Sequence, residues 1–222
     1  QLNELDILYT KSSNNLYCGY NRPHSPAIKT MLKYIDRKEY PFTFSCFIVG
    51  HFLPDDHWYR DSKEGNRICG NLGHWIDLFV HLLFIRGVKV SDIDISISYS
   101  DIDSPSENLI VTFTTPLKDL ATITFSARGE PFEGVSETIN IQQNDLLCKI
   151  HDFRLIEIWN AEKYYKKRFW NKEVGHKNAI LQPFKVETSR KWLELNTSTK
   201  LMLEVSKMVD LNENHKKLKI EM

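Results

Sequence analysis

The sequence predicts an α+β fold in which helices cover one face of a large, mainly antiparallel sheet. Three observations carry this prediction. Helical spacing of apolar residues occurs mainly in the first third and near the end of the 222-residue chain, whereas β-rich segments fill the middle. Residues 121–126 and 138–142 alternate apolar and polar side chains, which is typical of strands with one covered face and one polar face. This order of helices, strands and helices favours helices packed on one side of a sheet.

The N-terminal elements begin with a helix and a strand. Residues 2–10 carry leucines at helical spacing, and the short apolar run at 16–20 predicts a buried strand. Ser25 precedes Pro26 and is a natural N-cap, so we expect a second helix from this point. The β-rich run at 42–49 predicts the next strand.

The elements from residue 51 onwards are predicted from the same kinds of pattern. Residues 51–66 predict a loop that is long enough to be functional, and a helix is expected over 70–84. The predicted strands are 92–99, 108–115, 120–127 and 136–142, followed by shorter ones at 146–150 and 154–159. A helical section is expected over 189–211. The basic, aromatic run at 163–172 favours a solvated edge strand over an RNA site, and the lysines at 216–219 predict a soluble tail.

Composition excludes several classes of protein. With 41% hydrophobic and 26% charged residues, the chain is neither disordered nor fibrous. The 29 basic residues balance the 29 acidic ones, so we expect no nucleic acid and no anionic membrane as its main partner. The four cysteines lack C-x-x-C spacing, which fits reduced thiols and predicts a cytoplasmic protein. The apolar stretch at 75–85 is interrupted by Asp77 and His81, and is expected to be a buried helix too short and too polar to span a bilayer.

The helix predicted over 70–84 carries a narrow polar stripe. At about 100° per residue, His74, Asp77 and His81 fall on one side of an otherwise apolar helix, and Asn71 extends the stripe. The stripe either faces a cleft, where an imidazole can transfer protons, or forms a satisfied buried hydrogen-bond network. A metal site is a third alternative, but the H-E-x-x-H spacing and a fourth ligand are missing, so we predict no metal.

Motifs for other chemistry are absent from the sequence. It contains no G-x-S-x-G, which a serine hydrolase of the α/β type would need, and no G-x-G-x-x-G or G-x-x-x-x-G-K-[ST] to cradle phosphates. The chain alone therefore lacks a recognisable nucleotide site.

Several segments resemble the Gfo/Idh/MocA family of NAD(P)-dependent oxidoreductases. Residues 17–26 (YCGYNRPHSP) are similar to that family's "GYNRRFSP" crossover. Residues 52–58, 65–70 and 74–78 resemble its "PxDHW…GGRIxGExCHFIDL" stretch in order and spacing. Residues 151–154 (HDFR) and 174–176 (VGH) are similar to the "DDFR" and "KGH" of the polysaccharide-biosynthesis branch. The resemblance covers nearly the whole chain.

The resemblance implies a division of the chain and a role for it. Residues 1–20 would be the last helix and strand of a Rossmann domain, and residues 21–222 the domain that binds a sugar or nucleotide-sugar and forms homo-oligomers through its sheet. The glycine-rich turn and the catalytic lysine of the family would lie upstream of Gln1. NAD or NADP is the implied cofactor, and we expect this fragment neither to bind it tightly nor to turn over by itself.

The resemblance also implies site residues. His74 matches the family's histidine beside the reacting carbon, which acts as an acid/base or as a ligand of a substrate hydroxyl during hydride transfer. Arg22 is expected to contact the cofactor side or an anionic substrate group. The predicted substrate-binding residues are Asn21, Arg22, His57, Trp58, Asn71 and Asp77. Among these, Trp58 offers an aromatic face to a pyranose, and Asp77 is expected to fix the helix or the imidazole.

Departures from the family motif leave a second function open. Family members carry an aspartate four residues before the histidine or an acidic residue three before it, whereas this sequence has Gly70 and Asn71. The alternative is therefore a non-catalytic binding or oligomerisation module derived from the same family.

Overall fold

The structure is a computed structural model that describes residues 2–11, 17–36, 40–54, 56–57, 66–87, 89–129, 134–184 and 190–220. The helices are α1 (Leu2–Lys11), α2 (Pro26–Met31), α3 (Gly73–Arg86), α4 (His176–Ile180) and α5 (Trp192–Asp210). The strands are β1 (Thr43–Val49), β2 (Asp92–Tyr99), β3 (Asn108–Thr114), β4 (Leu120–Ser126), β5 (Ser136–Gln143), β6 (Leu146–His151), β7 (Leu155–Asn160), β8 (Lys163–Arg168) and β9 (His215–Lys219).

The nine strands form one sheet in the order β8-β7-β6-β5-β1-β4-β3-β2-β9. Every neighbouring pair is antiparallel except β1 and β4, which run parallel with Thr43 opposite Leu120 and Val49 opposite Ser126. The prediction of a large, mainly antiparallel sheet is therefore confirmed. β1 lies between two antiparallel meanders, β2 to β4 on one side and β5 to β8 on the other.

The core lies between one face of this sheet and the helices. Because side chains alternate along a strand, β1 buries Phe44, Cys46 and Ile48 on that face and leaves Phe47 51% exposed on the other. The predicted alternation in 121–126 and 138–142 is present in β4 and β5. Above this face, α3 packs its aromatic side chains, and the ring of Phe79 stacks on that of Phe113 at 5.2 Å.

The helix that contains α3 is longer than predicted. A π-helical turn, Ile68–Leu72, precedes α3 and extends the helical stretch to Arg86, a length of 19 residues. Among the described residues this one helix is long and apolar enough to cross a membrane, so the prediction that it is too short and too polar was wrong. Of its most apolar 18-residue window, 67% is buried inside the protein, which is typical of a core helix and confirms the predicted burial.

Other elements agree with the sequence in type and differ in extent. Ser25 caps α2 as predicted, since its Oγ accepts a hydrogen bond from the Ile28 N–H at 3.1 Å. The predicted strand at 16–20 is absent from the described part, 17–20, where no neighbouring strand offers a ladder. The predicted tail at 216–219 is instead β9, which pairs with β2. β8 is the exposed edge strand that its basic sequence predicted.

Helix α1 forms where predicted but buries none of its residues. It contacts the start of α5, where the ring of Tyr9 stacks on Trp192 at 5.3 Å and the Asp6 carboxylate accepts from the Trp192 indole N–H at 2.6 Å. The apolar side chains of Leu5, Ile7 and Leu8 are exposed.

Candidate functional site

The predicted site lies where residues 20–24, the middle of the crossover segment at 17–26, meet the start of α3. The π-helical turn at Ile68–Leu72 adds a residue to the helical ladder just before His74, a distortion that often accompanies functional sites. Gly73 allows α5 to approach closely at this point, because a Cβ there would lie 2.5 Å from the Met202 sulfur. The end of α3 that carries His74 is therefore packed tightly against α5.

His74 is the predicted catalytic residue, and its imidazole is neutral in this structure. Burial, together with the positive charges of Arg22 and His176, lowers the pKa of His74 to about 3. The imidazole lies edge-on to the rings of Tyr20 and Trp75, each at 6.3 Å. Its Nδ1 is buried and finds no hydrogen-bond partner within the described ranges. A neutral imidazole can accept a hydrogen bond at one nitrogen and donate one from the other.

Arg22 is held beneath this end of α3 by a buried carboxylate. Its Nη2 and Nε donate to the Glu137 carboxylate at 2.8 and 3.2 Å, and its guanidinium lies 4.7 Å from the centre of the Trp75 ring. The Trp75 indole N–H donates to the same carboxylate at 2.8 Å. With Nη1 bound to the Asn21 Oδ1 at 2.8 Å, each guanidinium nitrogen of Arg22 already has a partner. These contacts fix the guanidinium of Arg22 between β5 and the start of α3.

Glu137 was missed by sequence reasoning, although a signal for it existed. In β5 it shares the inward face with Ile139 and Ile141, and it is 1% exposed. An acidic side chain on the apolar face of an alternating strand requires a buried partner. That partner could not be named from the sequence.

The rest of the polar stripe forms a hydrogen-bond network between α3 and α5. Both carboxylate oxygens of Asp77 accept from Arg190, each at 2.7 Å, and the Arg190 Nε donates to Glu194 at 2.5 Å. The Nδ1 of His81 lies 2.7 Å from the same Glu194 carboxylate. Burial raises the pKa of Glu194, but the hydrogen bond from His81 and the charge of Arg190 outweigh it and lower the pKa. Of the alternatives for the stripe, the satisfied network thus describes Asp77 and His81, and His74 stands apart from it.

Asn21 is fully buried and has an unused donor. Its Oδ1 accepts from Arg22, whereas its Nδ2 lacks an acceptor among the residues that the structure describes. Asn21 also lines a cavity of about 250 Å³. The other lining residues are Tyr17, Cys18, Gly19, His176, Ala179, Ile180 and Pro183.

Gly175 brings His176 to this cavity. Its φ of +103° favours glycine, and a Cβ there would lie 2.0 Å from the Asn21 carbonyl oxygen. The glycine of the motif at 174–176 therefore allows the close approach of two chain segments at the predicted site.

The structure gives fewer contacts for the other predicted site residues, His57, Asn71 and Trp58. His57 is half-buried in the loop after β1, where its backbone N–H donates to the Pro54 carbonyl at 3.1 Å. Asn71 lies half-buried in the π-helical turn, one helical turn before His74. Trp58 lies outside the described residues.

Comparison with known proteins identifies the fold. No protein-family profile matches the sequence, and no curated protein matches it either. Among solved structures, UDP-N-acetylglucosamine 3-dehydrogenase from Acidithiobacillus ferrooxidans has a TM-score of 0.63 at 14% identity, over 95% of this chain and 65% of that one. Levoglucosan dehydrogenase in complex with NADH and levoglucosan has a TM-score of 0.69 at 9% identity, over 99% of this chain and 70% of that one.

A third structure with this fold is the super-repressor mutant of Gal80p from Saccharomyces cerevisiae. Its TM-score is 0.66 at 13% identity, over 99% of this chain and 69% of that one. The chain thus spans 65% to 70% of the length of the three proteins, and it shares the fold found in dehydrogenases.

Proposed function

We propose that this chain is the substrate-binding part of a Gfo/Idh/MocA-type oxidoreductase, in the polysaccharide-biosynthesis branch, that acts on a sugar or nucleotide-sugar. One observation carries the proposal. Two buried side-chain nitrogens at the junction of crossover and α3, Asn21 Nδ2 and His74 Nδ1, have no partner in the described part of the chain. One is an amide donor, and the other belongs to a neutral imidazole. A sugar hydroxyl both donates and accepts hydrogen bonds, so hydroxyls of a sugar can pair with each of these nitrogens.

The proposed roles follow from this geometry. His74 binds the reacting hydroxyl and takes its proton as the carbon is oxidised, and Asn21 orients the sugar. NAD or NADP would supply the hydride acceptor. Arg22, which the resemblance places towards the cofactor, donates hydrogen bonds to Glu137 and Asn21. On the resemblance of the motifs, we assign residues 1–20 to the end of a Rossmann domain and residues 21–222 to the substrate domain. The free cysteines support a cytoplasmic protein.

Calorimetry on the 222-residue chain tests the proposed site. We expect saturable binding of UDP-N-acetylglucosamine, and about tenfold weaker binding in His74→Ala and in Asn21→Asp, because each loses one hydrogen bond worth roughly 1.4 kcal/mol. Asn21→Asp keeps the oxygen that faces Arg22, replaces the unused donor with a carboxylate oxygen, and adds a negative charge beside the guanidinium. His215→Ala, on the exposed strand β9, is the matched control and should bind like the wild type.

Two results would contradict the proposal. Unchanged affinity in His74→Ala would remove that residue from the site. Micromolar binding of NADH by the chain itself, for which we expect no saturable signal, would contradict the assignment of residues 1–20.

A non-catalytic module remains the second candidate, and two observations favour it. Where the family carries acids, this chain has Gly70 and Asn71, and no carboxylate is among the groups that shift the pKa of His74. One of the proteins that share the fold is described as a super-repressor mutant. A glycine-rich turn encoded ahead of Gln1, with NAD(P)-dependent turnover that falls about 100-fold in His74→Ala, would support the enzyme over the module.

The open face of the sheet supports the proposed homo-oligomer. Phe47, Ile110 and Leu120 are exposed there, and Phe47 and Ile110 line a depression of about 510 Å³. We expect Phe47→Glu with Ile110→Glu to convert an oligomer into monomers in light scattering after size exclusion. Lys200→Glu, on the exposed side of α5, should leave the mass unchanged. A wild-type chain that is monomeric at high micromolar concentration would rule out this interface.

A further inference from the structure

One edge of the sheet carries a charge excess that the chain as a whole does not have. Residues 149–172 contain seven lysines and arginines against three acidic residues, in a chain whose 29 basic and 29 acidic residues balance. Four of these cations lie in β8 alone, Lys163–Arg168, and all six residues of that strand are exposed. The proposed sugar site does not use this surface.

β8 also has an unused hydrogen-bonding edge. It pairs with β7 on one side, and no strand within the described ranges lies on its other side. In an antiparallel ladder every second residue of an edge strand points its backbone N–H and C=O away from the neighbour. Those backbone N–H and C=O groups can form hydrogen bonds with an additional strand from a partner.

A groove of about 500 Å³ lies beside the end of β8. Its lining residues are His151, Asp152, Arg154, Leu155, Arg168, Phe169 and Trp170. The side chain of Trp170 is 97% exposed, an unusual state for an indole. The Asp152 carboxylate is engaged by Lys172 at 2.5 Å, whereas Arg168 has no carboxylate partner among the described residues. The groove therefore offers an aromatic plane next to an uncompensated guanidinium.

The opposite edge of the sheet shows that this excess is local. β9 also carries three lysines, but Lys216 pairs with Glu204, and Lys217 pairs with Asp92 at 2.9 Å. In β8, Lys166 reaches Glu157 at 3.3 Å, while Lys163 finds no carboxylate in the described part of the chain. The ammonium group of Lys163 can therefore pair with a carboxylate of a partner protein.

We propose that the β8 edge and the Trp170 groove bind an extended acidic segment of a partner protein, which adds a tenth strand to the sheet and packs an apolar side chain on Trp170. A second copy of this chain is a poor occupant, because edge-to-edge pairing would set the four cations of β8 against the same four. A single-stranded nucleic acid would match the charge but not the backbone N–H and C=O groups.

A synthetic peptide tests this surface. The probe is a fluorescein-labelled heptapeptide that alternates glutamate with valine, and its anisotropy should report saturable binding to the wild-type chain at 50 mM salt. Lys163→Glu with Lys167→Glu should weaken the affinity by about tenfold or more, because these two alternate residues share one face of β8 and both become repulsive towards the glutamates. Trp170→Ala should weaken it by about threefold or more. The matched control is Lys217→Glu with Lys219→Glu on β9, which makes the same charge change and should stay within about twofold.

Two further probes decide how the peptide is held. A peptide of the same sequence with every backbone amide N-methylated keeps the charge but has no N–H left to pair with a strand, so it should bind at least about tenfold more weakly. Equal binding of the methylated peptide, or equal losses in the β8 and β9 variants, would overturn the proposal. Tighter binding of a labelled oligothymidylate than of the acidic peptide would overturn it in favour of nucleic acid.

Discussion

Glu137→Ala is expected to lower the free energy of unfolding by about 3 to 5 kcal/mol. The substitution leaves the guanidinium of Arg22, 6% exposed, without its carboxylate and leaves the Trp75 indole N–H without an acceptor. A buried charge that loses its partner costs far more than the pair contributed. For a chain of this length the melting temperature should fall by about 6 to 20 °C, which calorimetry or circular dichroism can measure.

A double replacement separates the lost charge from the lost packing. Arg22→Met with Glu137→Leu removes both charges and keeps apolar volume, so it should be more stable than Glu137→Ala alone. If the double variant were less stable than the single one, the buried charge would not be the cause. Equal stability of Glu137→Ala and the wild type would contradict the geometry of this cluster.

Acidification from pH 7 to pH 5 is expected to lower the free energy of unfolding by about 4 kcal/mol, roughly 2 kcal/mol for each of two buried histidines. Burial lowers the pKa of His74 to about 3 and that of His24 to about 4, and nearby positive charges act in the same direction. In the unfolded chain both histidines titrate near their usual pKa of about 6.5. Between these values the unfolded state binds protons that the folded state does not, so stability falls as the pH falls.

Urea unfolding at pH 7, 6 and 5 measures this dependence. His24→Gln and His74→Gln should each flatten it by about half, since each removes one group that binds a proton only on unfolding. Gln142→Asn, at an exposed position of β5 that does not titrate, should leave the slope as it is. A wild-type stability that stays constant from pH 7 to pH 5 would contradict the buried, neutral state of both imidazoles.

The sheet could be predicted because its signal is local. β2 has the predicted bounds, Asp92–Tyr99, since its apolar residues alternate strictly, and the inward side chains of β4 and β5 follow from the same period. β9 could not be predicted, because three lysines in five residues have low strand propensity and only pairing with β2 makes them a strand. At β9, the tertiary context rather than the local sequence determines the secondary structure.

The site was predicted in part for the same reason. The polar stripe of α3 follows from helical spacing, so His74, Asp77 and His81 could be singled out. The identity of their partners depends on residues far along the chain, and neither Arg190 nor Glu194 stands out in the sequence. The stripe could therefore be found, but its division into a structural network and one unpartnered imidazole could not.

The position of β1 between β4 and β5 bears on how the chain reaches its fold. β4 and β5 follow one another in sequence and run antiparallel, so they are poised to close a local hairpin, a step that takes microseconds. In the native sheet that hairpin is absent, because β1 occupies the space between them. If β4 and β5 paired directly before β1 had joined them, β1 would be excluded from the sheet and the chain would be held in a misfolded intermediate. During synthesis, however, β1 leaves the ribosome well before β5, so it can pair with β4 while the competing strand is still being made.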